Sequence, residues 1–334
     1  MNQPIPKISV VIIVYNMARQ AMNTLYSLSP EYQKNIDAND YEIIVVENHS
    51  CNMLDKQQVE MLSPNIRYFC REEKGVSPVP AINFGFQKCR APMIGLMIDG
   101  ARMVTPRIIE YTLMAQHIDA NAVVAVPGYN LGPAEQQYAE QLNYNEAIET
   151  AMLSKTNWQK NGYRLFDISS IGGANPTGVI NPLMESNCVF ASKKSFEKIG
   201  WADEQFTYPG GGSVNLHIFR SLGMLPESNA YFILPGEASF HQLHGGVTTA
   251  NSSQREAMLK KFAQQLNNLW GVFSVLKREP ILLGAVTSHA QPFLKFSADE
   301  AMIRFDRLSE KGVDHWVDDV ARKQKIGSQG KPYP

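Results

Sequence analysis

The stretch Ile8-Ser9-Val10-Val11-Ile12-Ile13-Val14 decides the fold class of this sequence, and it ends at Tyr15-Asn16. It is rich in β-branched residues and lacks polar alternation, so it predicts a strand buried on both faces, as in a parallel sheet. Apolar residues then recur at helical spacing, at Ala18, Ala21, Met22, Leu25 and Leu28. A buried strand followed by a helix begins a βαβ unit with a right-handed crossover.

The same alternation of strands and helices continues to about residue 127. Further strands are predicted at 41–46, 66–70, 93–98 and 122–126, with helices at 81–89 and 106–117. We therefore expect an α/β fold with a mostly parallel, doubly wound sheet. In such sheets, ligands bind outside the carboxyl ends of the strands.

Polar side chains stand just after these predicted strands, and they include Tyr15, Asn16, Glu47, Asn48, Arg71 and Asp99. Each one alone is compatible with a turn or cap residue, for which asparagine and aspartate are common. Together they predict the polar rim of a ligand pocket.

The pattern changes after residue 127. Residues 133–154 have a helical pattern, 188–191 predict a strand, and 214–222 predict a second helix. Residues 253–277 predict a long helix, and the remainder predicts a helix with a polar tail.

Composition argues against several function classes. The 31 basic and 32 acidic residues give a net charge of -1, so no general field attracts nucleic acid. The four cysteines form no C-x-x-C pair, which argues against a cysteine zinc site and favours reduced thiols in the cytoplasm. No apolar run approaches the roughly 20 residues that span a bilayer, so we expect no integral membrane segment. A peripheral membrane contact stays compatible with the sequence.

Two common nucleotide-binding motifs are missing after the first strand. Neither the G-x-G-x-x-G fingerprint nor the G-x-x-x-x-G-K-[ST] P-loop occurs there. This argues against an NAD-dependent dehydrogenase, a Rossmann methyltransferase and a P-loop kinase.

Several ordered blocks resemble the family-2 glycosyltransferases of the GT-A fold, over roughly residues 7–250. The blocks are 9–16, 42–50, Gly75 with Ala81, Asn83 and Gly85, Ile98-Asp99, 187–193 and 196–206. The chain looks like an atypical branch, with Asp-Gly-Ala-Arg at 99–102 and His-Gln-x-His-Gly-Gly at 241–246. The resemblance implies a hexosyltransferase-type enzyme, active with inversion in polysaccharide biosynthesis or a related pathway.

The resemblance also implies a division of the chain and a set of partners. We expect a nucleotide-sugar-binding subdomain at 1–127, an acceptor-side subdomain at 128–250 and a C-terminal helical extension at 251–334. The donor would be a nucleoside-diphosphate sugar, with UDP favoured. The acceptor would be a glycan, a lipid-linked sugar or a small molecule.

Nucleotide contacts are implied at the strand ends. In the family, the acidic residue after the second strand contacts the nucleobase, and Glu47 holds that position; its carboxylate suits the imide N–H of uracil. Tyr15, Asn16 and Asn48 belong to the same rim. Arg71 or Arg102 would neutralise the diphosphate if no metal does, because an arginine fork suits phosphate oxygens.

A metal site is implied at Asp99. Relatives end the fourth strand with Asp-x-Asp and hold Mg²⁺ or Mn²⁺ there, but Ala101 replaces the second aspartate. Gly100 and Ala101 would leave room for a phosphate. His241 or His244 would complete the site with Asp99, on a glycine-containing loop that closes over it. Packing of both histidines within their own loop is the competing interpretation.

The catalytic base is not fixed by the sequence. Inverting relatives carry Glu-Asp after an Asp-Glu-x-Phe segment, but residues 208–217 contain no carboxylate. The candidates are Asp203, Glu204, Glu185 and His217, with Asp203 favoured. Two further hypotheses stay open: a binding or scaffold protein that lost activity, and a nucleotidyltransferase, which would release pyrophosphate.

Overall fold

The computed structural model describes residues 4–173, 175, 177–226, 229–245, 252–271, 276 and 278–312. Two features considered above lie outside the described residues: Gly246 in the histidine-containing loop, and the polar tail after residue 312.

The strands follow one another along the chain with helices between many of them. The strands are β1 (Ile8–Val14), β2 (Tyr41–Asn48), β3 (Ile66–Arg71), β4 (Met93–Met97), β5 (Arg102–Val104), β6 (Val123–Ala125), β7 (Gly128–Leu131), β8 (Ser169–Ile171), β9 (Val189–Ser192), β10 (Tyr231–Ile233), β11 (Ser239–His241) and β12 (Ile281–Leu282). The α-helices are α1 (Ala18–Leu28), α2 (Lys56–Leu62), α3 (Val79–Lys88), α4 (Ile108–Ile118), α5 (Glu146–Thr156), α6 (Lys193–Lys198), α7 (Val214–Gly223), α8 (Ser252–Trp270) and α9 (Gln291–Lys311).

The larger sheet confirms the predicted fold class. Its strand order is β12-β10-β6-β9-β4-β1-β2-β3. Strands β4, β1, β2 and β3 are parallel to one another, and so are β6, β10 and β12. Strand β9 is antiparallel to both β4 and β6 and joins the two parallel groups. The result is a mostly parallel α/β sheet.

Helices cover both faces of this sheet, so the sheet is doubly wound. Every residue of β1 is buried. Val10, Ile12 and Val14 pack into one core with α1 and α4, while Val11 and Ile13 pack into another with α3 and α7. The period-2 geometry of a strand thus explains why the sequence of β1 is apolar at almost every position.

A smaller sheet in the order β5-β11-β7-β8 positions the late histidines. Strand β11 is antiparallel to β5, and His241 pairs with Arg102. Arg102 comes three residues after Asp99, so this pairing brings a residue from the last third of the chain beside the end of β4.

Two predicted helices are shorter in the structure. Residues 133–154 do not form one helix: a 3-10 turn occupies Gln136–Tyr138, and α5 begins only after Asn145, whose side chain accepts the Ile148 N–H. The left-handed backbone of Asn143 interrupts the chain before this cap. Helix α8 ends at Trp270, before a left-handed Gly271, and most of the predicted continuation to residue 277 (272–275 and 277) lies outside the described residues.

The C-terminal helical extension is represented by α8 and α9. One core includes Phe190 and Phe232 together with residues of β1 and β2, so it crosses the boundary placed at residue 127. The three-part division stays a prediction. Among the described residues, none of the helices combines the length and the apolar character that crossing a membrane requires.

Candidate active site

The carboxyl ends of β4, β1, β2 and β3 lie at one edge of the sheet, because these neighbouring strands are parallel. Val14 pairs with Glu47. Asn48 pairs with Arg71. The Gly100 N–H donates to the Ile13 carbonyl at 2.8 Å, which ties the segment after β4 to the end of β1. The polar residues that follow these strands are therefore gathered at one edge, as predicted from the sequence.

Tyr15 and Asn16 form the turn after β1. Tyr15 is exposed, and Asn16 has a left-handed backbone with a φ of 56°, a conformation that asparagine tolerates better than most residues. The Asn16 Oδ1 accepts a hydrogen bond from the Cys51 thiol at 3.4 Å. This contact joins the turn after β1 to the loop after β2.

Glu47, which the resemblance predicts to contact a nucleobase, is not accessible to a ligand in this conformation. Its side chain is fully buried. Its oxygens accept the Leu54 N–H at 3.1 and 3.2 Å and the Tyr68 hydroxyl at 2.6 Å. Burial raises the pKa of Glu47, although the bonds from Tyr68 and Leu54 oppose this. In this conformation Glu47 organises the loop after β2, and its contact with a nucleobase stays a prediction.

Arg71 is also engaged by its neighbours. Its Nε lies 2.6 Å from a Glu73 oxygen, and its guanidinium lies 4.3 Å from the centre of the Phe84 ring. Asn48 has a buried Oδ1 that lacks a hydrogen-bond partner among the described residues. The diphosphate role of Arg71 stays a prediction.

Asp99, His241 and His244 converge at the end of β4. The Asp99 Oδ2 lies 2.9 Å from the His241 Nε2 and 3.5 Å from the His244 Nε2. The two Nε2 atoms are 2.9 Å apart. The Asp99 Oδ1 accepts the Ala101 N–H at 3.0 Å, which fixes the carboxylate with Oδ2 toward the histidines. The structure brings these distant segments together, and their role as metal ligands stays a prediction.

The protonation states of Asp99 and His241 favour the binding of a cation by this cluster. Burial, followed by the charge of Arg102, lowers the pKa of His241 to about 4, so its imidazole is neutral at pH 7. Burial alone would raise the pKa of Asp99, but interactions with His244 and His241 hold it well below its usual range. One carboxylate oxygen and two imidazole nitrogens therefore share a small space. This donor set fits a divalent transition metal, and Mn²⁺ better than Mg²⁺.

Gly100 and Ala101 do not provide the open space predicted for a phosphate. A Cβ at Gly100 would lie 2.8 Å from Val14 Cγ2 and 2.9 Å from the Ile13 carbonyl oxygen, so β1 occupies that side. Ala101 is fully buried. The small residues allow the segment after β4 to pack against β1, which holds Asp99 in place.

Arg102 is the cation nearest to this cluster in the described contacts. Its Nε lies 3.7 Å from the Asp99 Oδ2 and, within the described residues, makes no hydrogen bond. Its side chain is mostly buried and lines an adjacent cavity of about 180 Å³. Arg102 therefore touches both the cluster and the cavity.

The cavity is lined mainly by polar residues, most of which the sequence interpretation did not single out. Its lining includes Arg102, Asn130, Glu135, Gln136, Asn175, Glu185, Asn187, His241 and Arg255. Asn175 is almost fully buried, and its Oδ1 has no partner among the described residues. A cavity with many amides and few apolar side chains suits a ligand with several hydroxyl groups.

Glu185 is the catalytic candidate that the structure brings to this cavity. Its Oε1 accepts from the Asn187 side chain at 2.9 Å, and its Oε2 accepts from the Asn215 side chain at 2.7 Å. Asn215 belongs to the stretch in which inverting members of the family that this sequence resembles carry Glu-Asp. The side-chain amide of Asn215 thus orients the carboxylate of Glu185, which belongs to the segment before β9.

The other base candidates are not among the cavity-lining residues. The Asp203 Oδ1 accepts the Gln205 N–H at 2.9 Å within its own turn, and Glu204 is exposed. The His217 Nδ1 accepts the Trp270 Nε1–H at 3.0 Å. Burial, as the largest influence, lowers the pKa of His217.

In a mostly parallel α/β sheet, ligands bind at the edge formed by the carboxyl ends of the strands, where this chain carries its polar residues. Residues 9–171 match the sequence profile described as glycosyl transferase family 2. This segment, nearly half of the chain, is similar to that family, as the sequence blocks predicted, and the hexosyltransferase-type enzyme class is confirmed. Glu185, His241 and His244 lie outside the matched segment.

Solved structures give weaker likenesses. S. aureus TarS superposes with a TM-score of 0.47 at 11% identity, covering 91% of this chain and 45% of that one, so the chain spans about half of it. TarS 1-349 in complex with UDP-GlcNAc has a TM-score of 0.47 at 14% identity, covering 97% and 80% of the two chains. The Pyrobaculum calidifontis mannosyltransferase PcManGT, in complex with GDP-Man and Mn²⁺, has a TM-score of 0.47 at 10% identity, covering 97% and 79%. The sequence matches none of the curated proteins.

Proposed function

We propose that this protein transfers a sugar from a nucleoside-diphosphate donor to a hydroxyl group of an acceptor, with Glu185 as the base. The observation that carries the proposal is the adjacency of two sites. His241 belongs to the Asp99–His241–His244 cluster and also lines the cavity that contains Glu185. Arg102, which lies beside the cluster, lines the same cavity. The leaving diphosphate and the attacking hydroxyl would thus lie on either side of the anomeric carbon.

On the donor side, Asp99, His241 and His244 would hold a divalent cation, with Mn²⁺ favoured over Mg²⁺. A bound divalent ion offsets the negative charge of a diphosphate. Arg102 would bind a phosphate oxygen, because its Nε makes no hydrogen bond to the described residues and it already lies near Asp99. The nucleoside would occupy the edge formed by Tyr15, Asn16, Glu47 and Asn48, and uridine remains the favoured nucleoside.

On the acceptor side, the cavity suits an uncharged group with several hydroxyls. Asn130, Asn175 and Asn187 offer amide donors and acceptors, and the carboxylates of Glu135 and Glu185 are balanced by Arg102 and Arg255. A sugar unit of a glycan fits this chemistry, whether it is free or lipid-linked. This supports a role in polysaccharide biosynthesis.

The reaction would be a single displacement at the anomeric carbon. Glu185 takes the proton of the acceptor hydroxyl, the oxygen forms a bond to the anomeric carbon, and the bond from that carbon to the diphosphate oxygen breaks. The nucleoside diphosphate leaves with the electron pair. One displacement from the opposite face inverts the anomeric configuration. Asn187 and Asn215 hold the Glu185 carboxylate for this role.

Ligand binding tests the donor half of this proposal. UDP and GDP are added separately to the wild-type protein, with and without Mn²⁺, and thermal unfolding is recorded. A nucleotide at 100 times its Kd stabilises the folded state by about 2.7 kcal/mol. We expect stabilisation by one nucleoside diphosphate that Mn²⁺ increases, and a loss of the Mn²⁺ effect in Asp99→Asn. If no nucleotide shifts the transition, the donor assignment is wrong and the inactive-scaffold hypothesis gains support.

A further inference from the structure

The loop that carries both histidines is fixed by hydrogen bonds to three other elements, which are α1, α5 and the turn at Gln136–Tyr138. The loop spans 241–244, and we call it the histidine loop. Each residue from Gln242 to His244 makes at least one hydrogen bond to a distant segment. Those segments are separated from the loop by roughly ninety to more than two hundred residues in sequence.

Gln242 fixes the first half of the histidine loop. Its side chain is fully buried and donates to the Gln20 carbonyl at 2.9 Å, while its Oε1 accepts from the Asn23 side chain at 2.9 Å. Its backbone N–H donates to the Ala101 carbonyl at 2.8 Å. The loop is therefore attached both to α1 and to the segment that follows Asp99.

Glu149 fixes the second half. Its side chain is fully buried, and its Oε2 accepts the backbone N–H of Leu243 at 2.7 Å. Leu243 lies between Gln242 and His244, one residue before the second histidine. The other partners of Glu149 are the Arg19 guanidinium at 3.0 Å and the Tyr144 hydroxyl at 3.1 Å.

Arg19 and Tyr144, which orient Glu149, both lie outside the histidine loop. Arg19 compensates the buried charge and also donates to the Leu243 carbonyl at 3.2 Å. Burial of an uncompensated carboxylate is costly, so a charge at this position requires such partners. Burial raises the pKa of Glu149, while the bonds from Leu243 and Arg19 counteract that rise.

We propose that Glu149, oriented by Arg19 and Tyr144, is a positioning residue that sets the metal affinity of Asp99, His241 and His244 by fixing the backbone of the histidine loop. The inference rests on the metal site of the proposed function. Glu149 does not touch the cluster in the described contacts, and it acts through the Leu243 amide. Groups that orient metal ligands typically change metal affinity by about 10–100-fold when they are replaced.

The test compares Mn²⁺ binding by wild type, Glu149→Gln and Glu146→Gln, with free Mn²⁺ measured by electron paramagnetic resonance. Glutamine keeps the size of Glu149, but its NH₂ group must face either Arg19 or the pair formed by the Leu243 N–H and the Tyr144 hydroxyl, which are all donors to Glu149. We therefore expect the Kd for Mn²⁺ to rise by at least about 10-fold. Glu146 is the matched control: it lies on the same helix and also contacts Arg19, but it is exposed. Glu146→Gln should keep the wild-type affinity within about 2-fold, because exposed ion pairs contribute little.

Two measurements separate this inference from folding and from the metal site itself. Thermal unfolding in EDTA reports metal-free stability, and Tyr144→Phe provides a milder variant that removes one bond to Glu149 without changing charge. We expect Tyr144→Phe to raise the Kd for Mn²⁺ by about 3-fold, because it removes one of the hydrogen bonds that orient Glu149 and leaves Arg19 in place. Wild-type Mn²⁺ affinity in folded Glu149→Gln, or in Tyr144→Phe if Glu149→Gln does not fold, overturns the inference. If wild type itself binds no Mn²⁺, the metal site of the proposed function fails instead.

Discussion

At the scale of single residues, the structure distinguishes two candidates for the catalytic base, Glu185 and Asp203, which the sequence alone could not distinguish. Glu185 lines the cavity and is held by two amides, whereas Asp203 accepts a hydrogen bond within its own turn. A base contributes to the transition state and little to donor binding.

Glu185→Gln should therefore lower kcat by about 10²–10⁴-fold with the nucleotide Kd nearly unchanged. The measurement is steady-state transfer, together with calorimetric binding of the nucleoside diphosphate. Asp203→Asn is the matched comparison, and it should retain kcat within a few fold. The reverse pattern, with Asp203→Asn inactive and Glu185→Gln active, would return the assignment to Asp203.

Glu237 gives a prediction about pH. It is buried beside β11, where its side chain accepts from the Tyr163 hydroxyl at 2.7 Å and from the Arg107 N–H at 3.2 Å. Burial raises its pKa from 4.5 to about 7. The folded state therefore holds this proton more tightly than the unfolded state between pH 4.5 and 7. Stability from this group is fully present below pH 4.5 and is lost as the pH rises through 7.

The expected loss is on the order of 3 kcal/mol of unfolding free energy between pH 5 and pH 8. Urea unfolding of wild type and Glu237→Gln at both pH values isolates this contribution, since other groups titrate alike in the two proteins. The variant should lose less stability than wild type on going from pH 5 to pH 8. Equal losses in the two proteins would show that Glu237 does not titrate in this range.

At the scale of elements, β9 is the strand that joins the two parallel groups, and its packing depends on a glycine in β4. Gly95 pairs with Phe190. A Cβ at Gly95 would lie 2.4 Å from the Phe190 ring. Because the ring fills that space in the middle of the sheet, a methyl group can enter only if the Phe190 ring or the strands shift.

Gly95→Ala should lower the free energy of unfolding by about 1–3 kcal/mol, the usual cost of overpacking. Urea denaturation measures the change. Gly75→Ala is the control, because a Cβ there has no atom within 4 Å, and it should stay within about 0.5 kcal/mol of wild type. Equal stability of the two variants would mean that β9 and β4 adjust without strain.

The elements that the sequence predicted well are those with a local signal. The apolar run of β1 and the helical spacing of α1 are each contained within a few residues, and so are the polar residues that follow the strands. The burial of Glu47 depends on Tyr68 from the next strand, and the orientation of Glu185 depends on Asn215. Such contacts leave no local pattern. The role of Glu149 could not be predicted for the same reason, since its partner Leu243 lies 94 residues away.

The helix expected at 133–154 illustrates a different limit. Its apolar residues have helical spacing, but Asn143 takes a left-handed backbone and Asn145 caps α5. Asparagine is among the preferred N-cap residues. Asn145 inside the predicted segment was therefore the sequence signal that the helix begins later than residue 133.

At the scale of the whole molecule, Asp99 and the two histidines at the end of β4 lie next to a polar cavity that is lined mainly by later parts of the chain. If a cation links the donor to Asp99, His241 and His244, EDTA should abolish transfer and Mn²⁺ should restore it. His244→Ala should raise the Mn²⁺ concentration needed for half-maximal activity by about 10-fold or more. Activity that is indifferent to EDTA, with a wild-type response in His244→Ala, would shift attention to Arg102→Ala.

The most direct test of the central claim is the release of nucleoside diphosphate from a panel of UDP- and GDP-sugars, with Mn²⁺ and a mixture of glycan acceptors. We expect at least one donor to yield nucleoside diphosphate together with a glycosylated product, and Glu185→Gln to reduce both by about 10²-fold or more. Release of pyrophosphate from a nucleoside triphosphate and a sugar phosphate, with no turnover of any nucleotide sugar, would contradict it.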